Sequence, residues 1–172
     1  MIRLVTVQAK DHDLLFSINQ KYLYEMTNFY DDEMDEHGNY GYGHFEEYFT
    51  DPKRKAYFIC NDEKMVGFAF LCPYSNLTEY LSEHSGLAQK VRKDPDYTMA
   101  EFTIFPAFRR KHYALDAANL ILDQHRGKWE IKYNEKNAKA KNLWTAVTMP
   151  YHPQVYHLNE EETVFVFSNI EG

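Results

Sequence analysis

Glycine, serine and cysteine are all scarce in this chain, and each shortage removes a class of chemistry. The 7 glycines form no Walker-type phosphate loop and the few serines no GxSxG elbow, so nucleoside-triphosphatase and serine-hydrolase readings lack support. The 2 cysteines, Cys60 and Cys72, lie in neighbouring apolar segments without CxxC spacing, and buried thiols rather than a disulfide are expected. No stretch reaches the roughly eighteen consecutive apolar residues of a membrane span, and the opening MIRLVTVQAKDHDLL has no apolar run of signal-peptide length. A soluble, cytoplasmic protein without a membrane partner is the expectation. Repeats, low-complexity tracts and linkers are also lacking. Residues 1–172 are therefore expected to form a single domain, long enough to bury a core without disulfide or metal staples.

The formal net charge of -7 conceals two regions of opposite sign. Residues 1–50 hold three basic and ten acidic side chains, whereas residues 106–142 hold nine basic and four acidic. A basic region confined within an acidic chain is a poor nucleic-acid surface, which needs a domain-wide positive field. It suits a local site for a phosphorylated ligand, and no nucleic-acid partner is expected. Aromatic residues make up 16% of the chain, which reads as core packing. The run Asp31, Asp32, Glu33, Asp35 and Glu36, with His37 and His44 nearby, departs from EF-hand spacing. Glu36 stands where that loop needs Gly and Tyr42 where it needs the closing Glu, so no metal is expected.

Periodicity divides the chain into alternating elements. Ile2 to Val7 reads as a strand, and Asp11 or Asp13 is placed to cap a helix with the apolar stripe Leu15, Ile18, Tyr22, Met26 and Phe29, ending near Tyr30. A polar, aromatic loop follows, with a short helix over Phe45 to Phe49. Ala56 to Cys60 and Lys64 to Leu71 form a hairpin pattern, closed by Pro73. Residues 74 to 95 suggest a helical insertion. Met99 to Phe105 is a strand ending at Pro106, and Ala114, Ala118, Ile121, Leu122 and His125 recur at helical spacing up to Gly127, a natural helix stop. Lys128 to Tyr133 reads as a strand, Asn137 opens a short helix, and Thr163 to Phe167 alternates as a last strand. The order points to a mixed α/β fold with a mostly antiparallel sheet.

The chemically informative segment is EFTIFPAFRRKHYALDAANLIL, where a strand gives way to a helix. A helix N-terminus presents unpaired N–H groups and the positive end of the dipole, which can hold a pyrophosphate. Arg109, Arg110 and Lys111 set three cations there. By composition alone a solvated basic turn accounts for them equally well.

Here the sequence resembles the GNAT superfamily of N-acetyltransferases. Their pyrophosphate loop follows the pattern Arg/Gln-x-x-Gly-x-Gly/Ala, after a strand of the form Val-x-Pro. This chain has Ile104-x-Pro106, then Arg109, Arg110, Lys111, His112, Tyr113 and Ala114, with His112 in place of the first Gly. A second family pattern, Asn-x-x-Ala followed by an aromatic, is matched by Asn137, Ala140 and Trp144. The specific part of the resemblance spans residues 97 to 147, and the first half matches in its order of elements.

The resemblance implies an α/β fold of the α+β type, with a mixed, mostly antiparallel sheet flanked by helices and a splayed strand pair that holds acetyl-CoA, the acetyl donor. It implies that the backbone of Phe102 and Ile104 pairs with the pantetheine arm, that the N–H groups of Arg110 to Ala114 face the diphosphate, and that Asn137 contacts the pantetheine. An ordinary helix N-cap accounts for Asn137 as well. His112 either sits in plain helical geometry in the first turn, which leaves binding intact, or pushes the cofactor outward. No metal is implied, and a homodimer is left open.

Acetyl transfer to an amine needs the neutral amine, and only roughly one lysine-like amine in two thousand is neutral at pH 7. Glu101 is the candidate base, since strand alternation directs it to the face of Thr103, opposite Phe102 and Ile104. A structural carboxylate is the alternative. Tyr97 is a second candidate, to position water. Trp144 stands where many family members carry a tyrosine acid, and its indole N–H is too weak an acid, so water or Tyr151 would protonate the leaving thiolate. The acidic, aromatic segment from Asp31 to Glu47 suggests a cationic amine acceptor, a small molecule or a lysine-bearing peptide. A catalytically inactive module of the same fold, binding CoA or a protein partner, is the other reading.

Overall fold

Strands whose alternate residues pack on both faces require helices on both sides, and this chain supplies them. The computed structural model describes residues 1–77 and 94–170. In chain order the elements are β1 (Ile2–Thr6), α1 (His12–Met26), the short α2 (Glu47–Thr50), β2 (Lys55–Asn61), β3 (Lys64–Cys72), β4 (Tyr97–Ile104), α3 (Tyr113–Gln124), β5 (Lys128–Asn134), α4 (Ala138–Thr148), β6 (Gln154–His157) and β7 (Glu162–Ser168). The strands form one sheet in the order β1-β2-β3-β4-β5-β7-β6. Every neighbouring pair is antiparallel except β4 with β5.

One face carries α3 and α4, whose Ala117, Ala118, Ile121, Leu122, Trp144 and Val147 close on Ile59, Ala69, Met99, Trp129 and Ile131. The other face carries α1 and the aromatic segment after it, with Leu15, Phe45 and Tyr48 on Phe58, Phe68 and Phe70. Both cysteines are buried free thiols.

Several local details differ from the sequence expectation. Asp11 does not cap α1 through its side chain; the carboxylate accepts from Gln8 N at 2.8 Å and closes a 3-10 turn over Ala9–Asp11. The first helix ends at Met26 rather than near Tyr30. Gly127 is not the stop of α3, which ends at Gln124 with His125 already extended. It is needed instead for close packing, because a β-carbon there would lie 2.5 Å from the Asp96 carboxylate. The short β6 is an addition, and the insertion expected over residues 74 to 95 lies largely outside the described residues.

A bulge in β4 sets up the site. Phe70 pairs with Glu101 while Leu71 pairs with Met99, which leaves Ala100 extra. Such a bulge bends the strand and reverses side-chain alternation beyond it. Tyr97 and Met99 accordingly face α3 and α4, Ala100 packs on the α1 side, and Phe102 and Ile104 return to the α3/α4 face. On the β3 side the bent strand stays tightly held, since a β-carbon on Gly67 would fall 2.0 Å from the Thr103 carbonyl oxygen.

Candidate functional site

The two parallel strands separate just where β4 bends. They pair only over Tyr97–Met99 with Trp129–Ile131, although β4 runs on to Ile104 and β5 to Asn134. Past that short zip the edge of β4 toward β5, including Phe102 and Ile104, has no strand partner. The gap is V-shaped, closed at Tyr97 and open toward the loop that precedes α3. An unpaired strand edge offers backbone donors and acceptors to any extended amide-bearing chain laid beside it.

The open end carries the basic loop. Arg110 and His112 both have positive φ, +63° and +61°, and alternation of handedness along a backbone forms a concavity of N–H groups that suits anions. His112 therefore does not sit in plain helical geometry: it is the N-cap of α3, in the left-handed region. Among the described residues no acceptor is placed against the backbone N–H groups of residues 110–114. The Arg110, Lys111 and His112 side chains are exposed, and Tyr113 and Ala114 are half-buried.

Arg109 is engaged elsewhere. Its Nη1 and Nη2 donate to the Glu25 carboxylate at 2.6 and 2.8 Å, and Nε donates to the Ile104 carbonyl at 2.7 Å. Asn137 is the N-cap of α4, its Oδ1 accepting from Ala140 N at 3.1 Å. Trp144 is buried and edge-on to Phe102, with ring centroids 5.1 Å apart, so it lines the β4 arm on the α3/α4 face.

Glu101 lies on the opposite face, under α1. Tyr22 donates its hydroxyl to Glu101 Oε2 at 2.6 Å. Burial pushes the Glu101 carboxyl up to about 7, while hydrogen bonds from Tyr22 and Tyr42 and the charge of Lys132 draw it the other way. Lys132 follows the zipped part of β5, and its Nζ is 3.0 Å from Glu162 Oε1, which also accepts from Tyr30 at 3.1 Å. Tyr30 and Asn159 to Glu162 line an open cavity of about 540 Å³ on this side.

The helix α1 and the turn after it thus touch both arms of the V. Tyr22 and Glu25 hold the β4 arm through Glu101 and Arg109. The Phe29 carbonyl accepts from Asn134, 3.4 Å away, and Tyr30 meets Glu162 on the β5 and β7 side.

Solved structures share this architecture. A GNAT-family acetyltransferase of Streptococcus agalactiae matches with a TM-score of 0.68 at 13% identity, over 99% of this chain and 96% of its own. The chain has the GNAT fold. An acetyltransferase from Thermus thermophilus matches with a TM-score of 0.62 at 16% identity, over 98% of this chain and 97% of its own. A spermidine N-acetyltransferase from Vibrio cholerae, solved with CoA and spermine, matches with a TM-score of 0.60 at 13% identity, over 97% and 95%. No protein-family model and no curated protein matches the sequence.

Within this GNAT fold the expected site residues fall into three groups. Phe102, Ile104, Arg109, Arg110, Lys111, His112, Tyr113, Ala114 and Asn137 border the open V. Glu101 stands on the α1 face of its β4 arm. Tyr97 and Tyr151 are not brought to Glu101. Tyr97 sits about 13 Å along the strand at the closed end, against His125 and Trp129, each with its ring centroid 5.0 Å away, and the bulge turns it to the other face. Tyr151 stacks on Phe167 at 5.3 Å, and Phe167 pairs with Trp129, again at the closed end.

Tyr22, Glu25, Tyr30, Lys132 and Glu162 were not expected as site residues. Tyr22 was visible only as part of an apolar stripe. Its spacing of three from Glu25 puts both on one side of α1, but nothing in the sequence shows what that side meets. Among the described residues no group of three or more His, Cys, Asp and Glu converges to hold a metal ion, and no helix is long and apolar enough to cross a membrane.

Proposed function

We propose that this GNAT-fold chain is an N-acetyltransferase that passes the acetyl group of acetyl-CoA to a primary amine. The observation that carries the reading is the V between β4 and β5: a strand edge without a strand partner leads from a loop of unpartnered N–H groups toward a half-buried carboxylate. The chain's residues fit the donor. The β4 edge at Phe102 and the Ile104 N–H would pair with the pantetheine amides, the Ile104 carbonyl being held by Arg109 Nε. The N–H groups of residues 110–114, with Arg110 and Lys111 beside them, would take the phosphates. The donor supplies an acyl carbon activated by a sulfur leaving group whose thiol has a pKa near 8.5.

Glu101 is the base of the proposed reaction. A carboxylate with a pKa about 7 is substantially ionised at neutral pH and still basic enough to take a proton from an ammonium acceptor. The amine nitrogen then forms the C–N bond as the C–S bond breaks. Of the two protons the ammonium gives up, the first is on Glu101 and the second passes through water to the departing thiolate, since Trp144 is a poor acid and Tyr151 lies at the closed end.

A cationic acceptor is the proposed substrate class. The cavity beside Tyr30 is lined by Glu160, Glu161 and Glu162, and the neighbour from Vibrio cholerae binds spermine. The acidic segment from Asp31 contributes less than its composition suggests. Asp35 accepts from the His37 and Asn39 backbone within its own turn, Glu46 meets His12, and Glu47 pairs with Arg54. A module of the same fold that binds CoA without catalysis is the second reading, favoured by Trp144 in place of an acid. A panel of amines assayed for release of CoA thiol separates the two. Turnover of at least one amine, lost in Glu101→Gln, supports the enzyme; tight CoA binding without turnover of any amine supports the module.

A further inference from the structure

Glu101 owes its setting to one residue of α1 more than to its own strand. The bulge at Ala100 drops the carboxylate into the α1 layer, where the Tyr22 hydroxyl meets Oε2 at 2.6 Å. The Tyr22 ring is fixed in turn, edge-on to Phe68 with centroids 5.5 Å apart. That packing holds the phenol oxygen against the carboxylate. Each carboxylate oxygen has two lone pairs, so donation from Tyr22, with Tyr42 beside it, orients the group while leaving capacity to accept a proton.

We propose that Tyr22 is the positioning residue of acetyl transfer: its hydroxyl orients the Glu101 carboxylate and stabilises its ionised form for the incoming amine. The inference rests on the reading of Glu101 as the base. The groups facing Glu101 are Tyr22 from α1, Tyr42 from the segment after it and Lys132 from β5, all of which favour the carboxylate. Tyr30 from the turn after α1 and Cys72 from β3 feel its charge. Tyr22 itself stays protonated, because burial and the Glu101 charge raise its ionisation well above the usual phenol range. It acts only as a donor, never as an acid that leaves its proton behind.

The test is the pH dependence of kcat/KM for the best amine, in the wild type, Tyr22→Phe and Glu101→Gln. The wild type is expected to lose activity below an acid limb near pH 7. Phenylalanine keeps the ring and removes only the donor, so in Tyr22→Phe the limb should rise by about one pH unit, with the KM for acetyl-CoA unchanged. A 3-fluorotyrosine at position 22 is a stronger donor of nearly the same shape; it should move the limb down, and it serves if Tyr22→Phe does not fold. Glu101→Gln should lack the limb. If Glu101→Gln lacks it while neither change at position 22 moves it, Tyr22 is merely packing and the proposal is overturned. If the limb persists in Glu101→Gln, the base assignment itself falls, and the proposal with it.

Discussion

Arg109 and Glu25 form a two-pronged ion pair, 2.6 and 2.8 Å, that ties the basic loop before α3 to α1. With Nε on the Ile104 carbonyl, the guanidinium spends three donors inside the protein. It shapes the loop rather than reaching out as Arg110 and Lys111 do. The two side chains are 26% and 31% exposed, so solvent weakens the pair only in part.

Glu25→Gln should therefore destabilise the protein by about 1–2 kcal/mol and weaken acetyl-CoA several-fold, although Glu25 faces no phosphate in the proposed site. Arg109→Lys should do the same, because an ammonium cannot reproduce the fork. Denaturant titration and calorimetry measure both effects. An increase in affinity on removing Glu25 would mean that Arg109 is a phosphate ligand held in check.

His112 occupies a left-handed position, φ +61°, which disfavours any residue with a β-carbon. His112→Gly should raise stability by about 1 kcal/mol and leave acetyl-CoA affinity unchanged or slightly higher, since the proposed contacts are backbone N–H groups. A large loss of affinity in the folded variant would make the imidazole a direct ligand.

The half-buried Glu101 carboxyl gives stability a defined pH dependence. Its folded pKa, about 7, lies above that of an unfolded glutamate, so the contribution is fully present below the unfolded value and is lost as pH rises through 7. Glu101→Gln removes the cost of burying the charge. It should be more stable than the wild type at pH 8 by on the order of 2–3 kcal/mol, and no more stable at pH 4. Equal differences at the two pH values would show that the carboxyl is not desolvated. Turnover should fall by about a hundredfold in the same variant.

Neutralising Asp31, Asp32, Glu36 and Glu160 together should raise the KM of a cationic acceptor, and added salt should mimic the change in the wild type. The KM of acetyl-CoA should stay nearly fixed. Asp35 is left intact because it holds its turn through His37 and Asn39. An unchanged acceptor KM would remove the steering role.

Most of the sheet was legible in the sequence because strand alternation and the Ile104-x-Pro106 break are local signals. The loop at Arg109 to Ala114 and the Asn137 cap were legible for the same reason. The four-residue β6 was not: it is an edge strand whose Val155 is half exposed, so it lacks the buried alternation that marks a strand. The bulge at Ala100, which puts Tyr97 and Glu101 on opposite faces, was hidden as well. The contacts that give Glu101 and Arg109 their character come from Tyr22 and Glu25, 79 and 84 residues earlier. Such pairings are set by how α1 lies across the sheet, which no local pattern records.

The central claim is that the open V between β4 and β5 takes acetyl-CoA, and titration calorimetry at neutral pH tests it most directly. Saturable binding of one acetyl-CoA per chain is expected, together with a thermal upshift that grows with ligand concentration and a clear loss of affinity when Arg110 and Lys111 are both neutralised. No heat and no thermal shift at millimolar acetyl-CoA would contradict it.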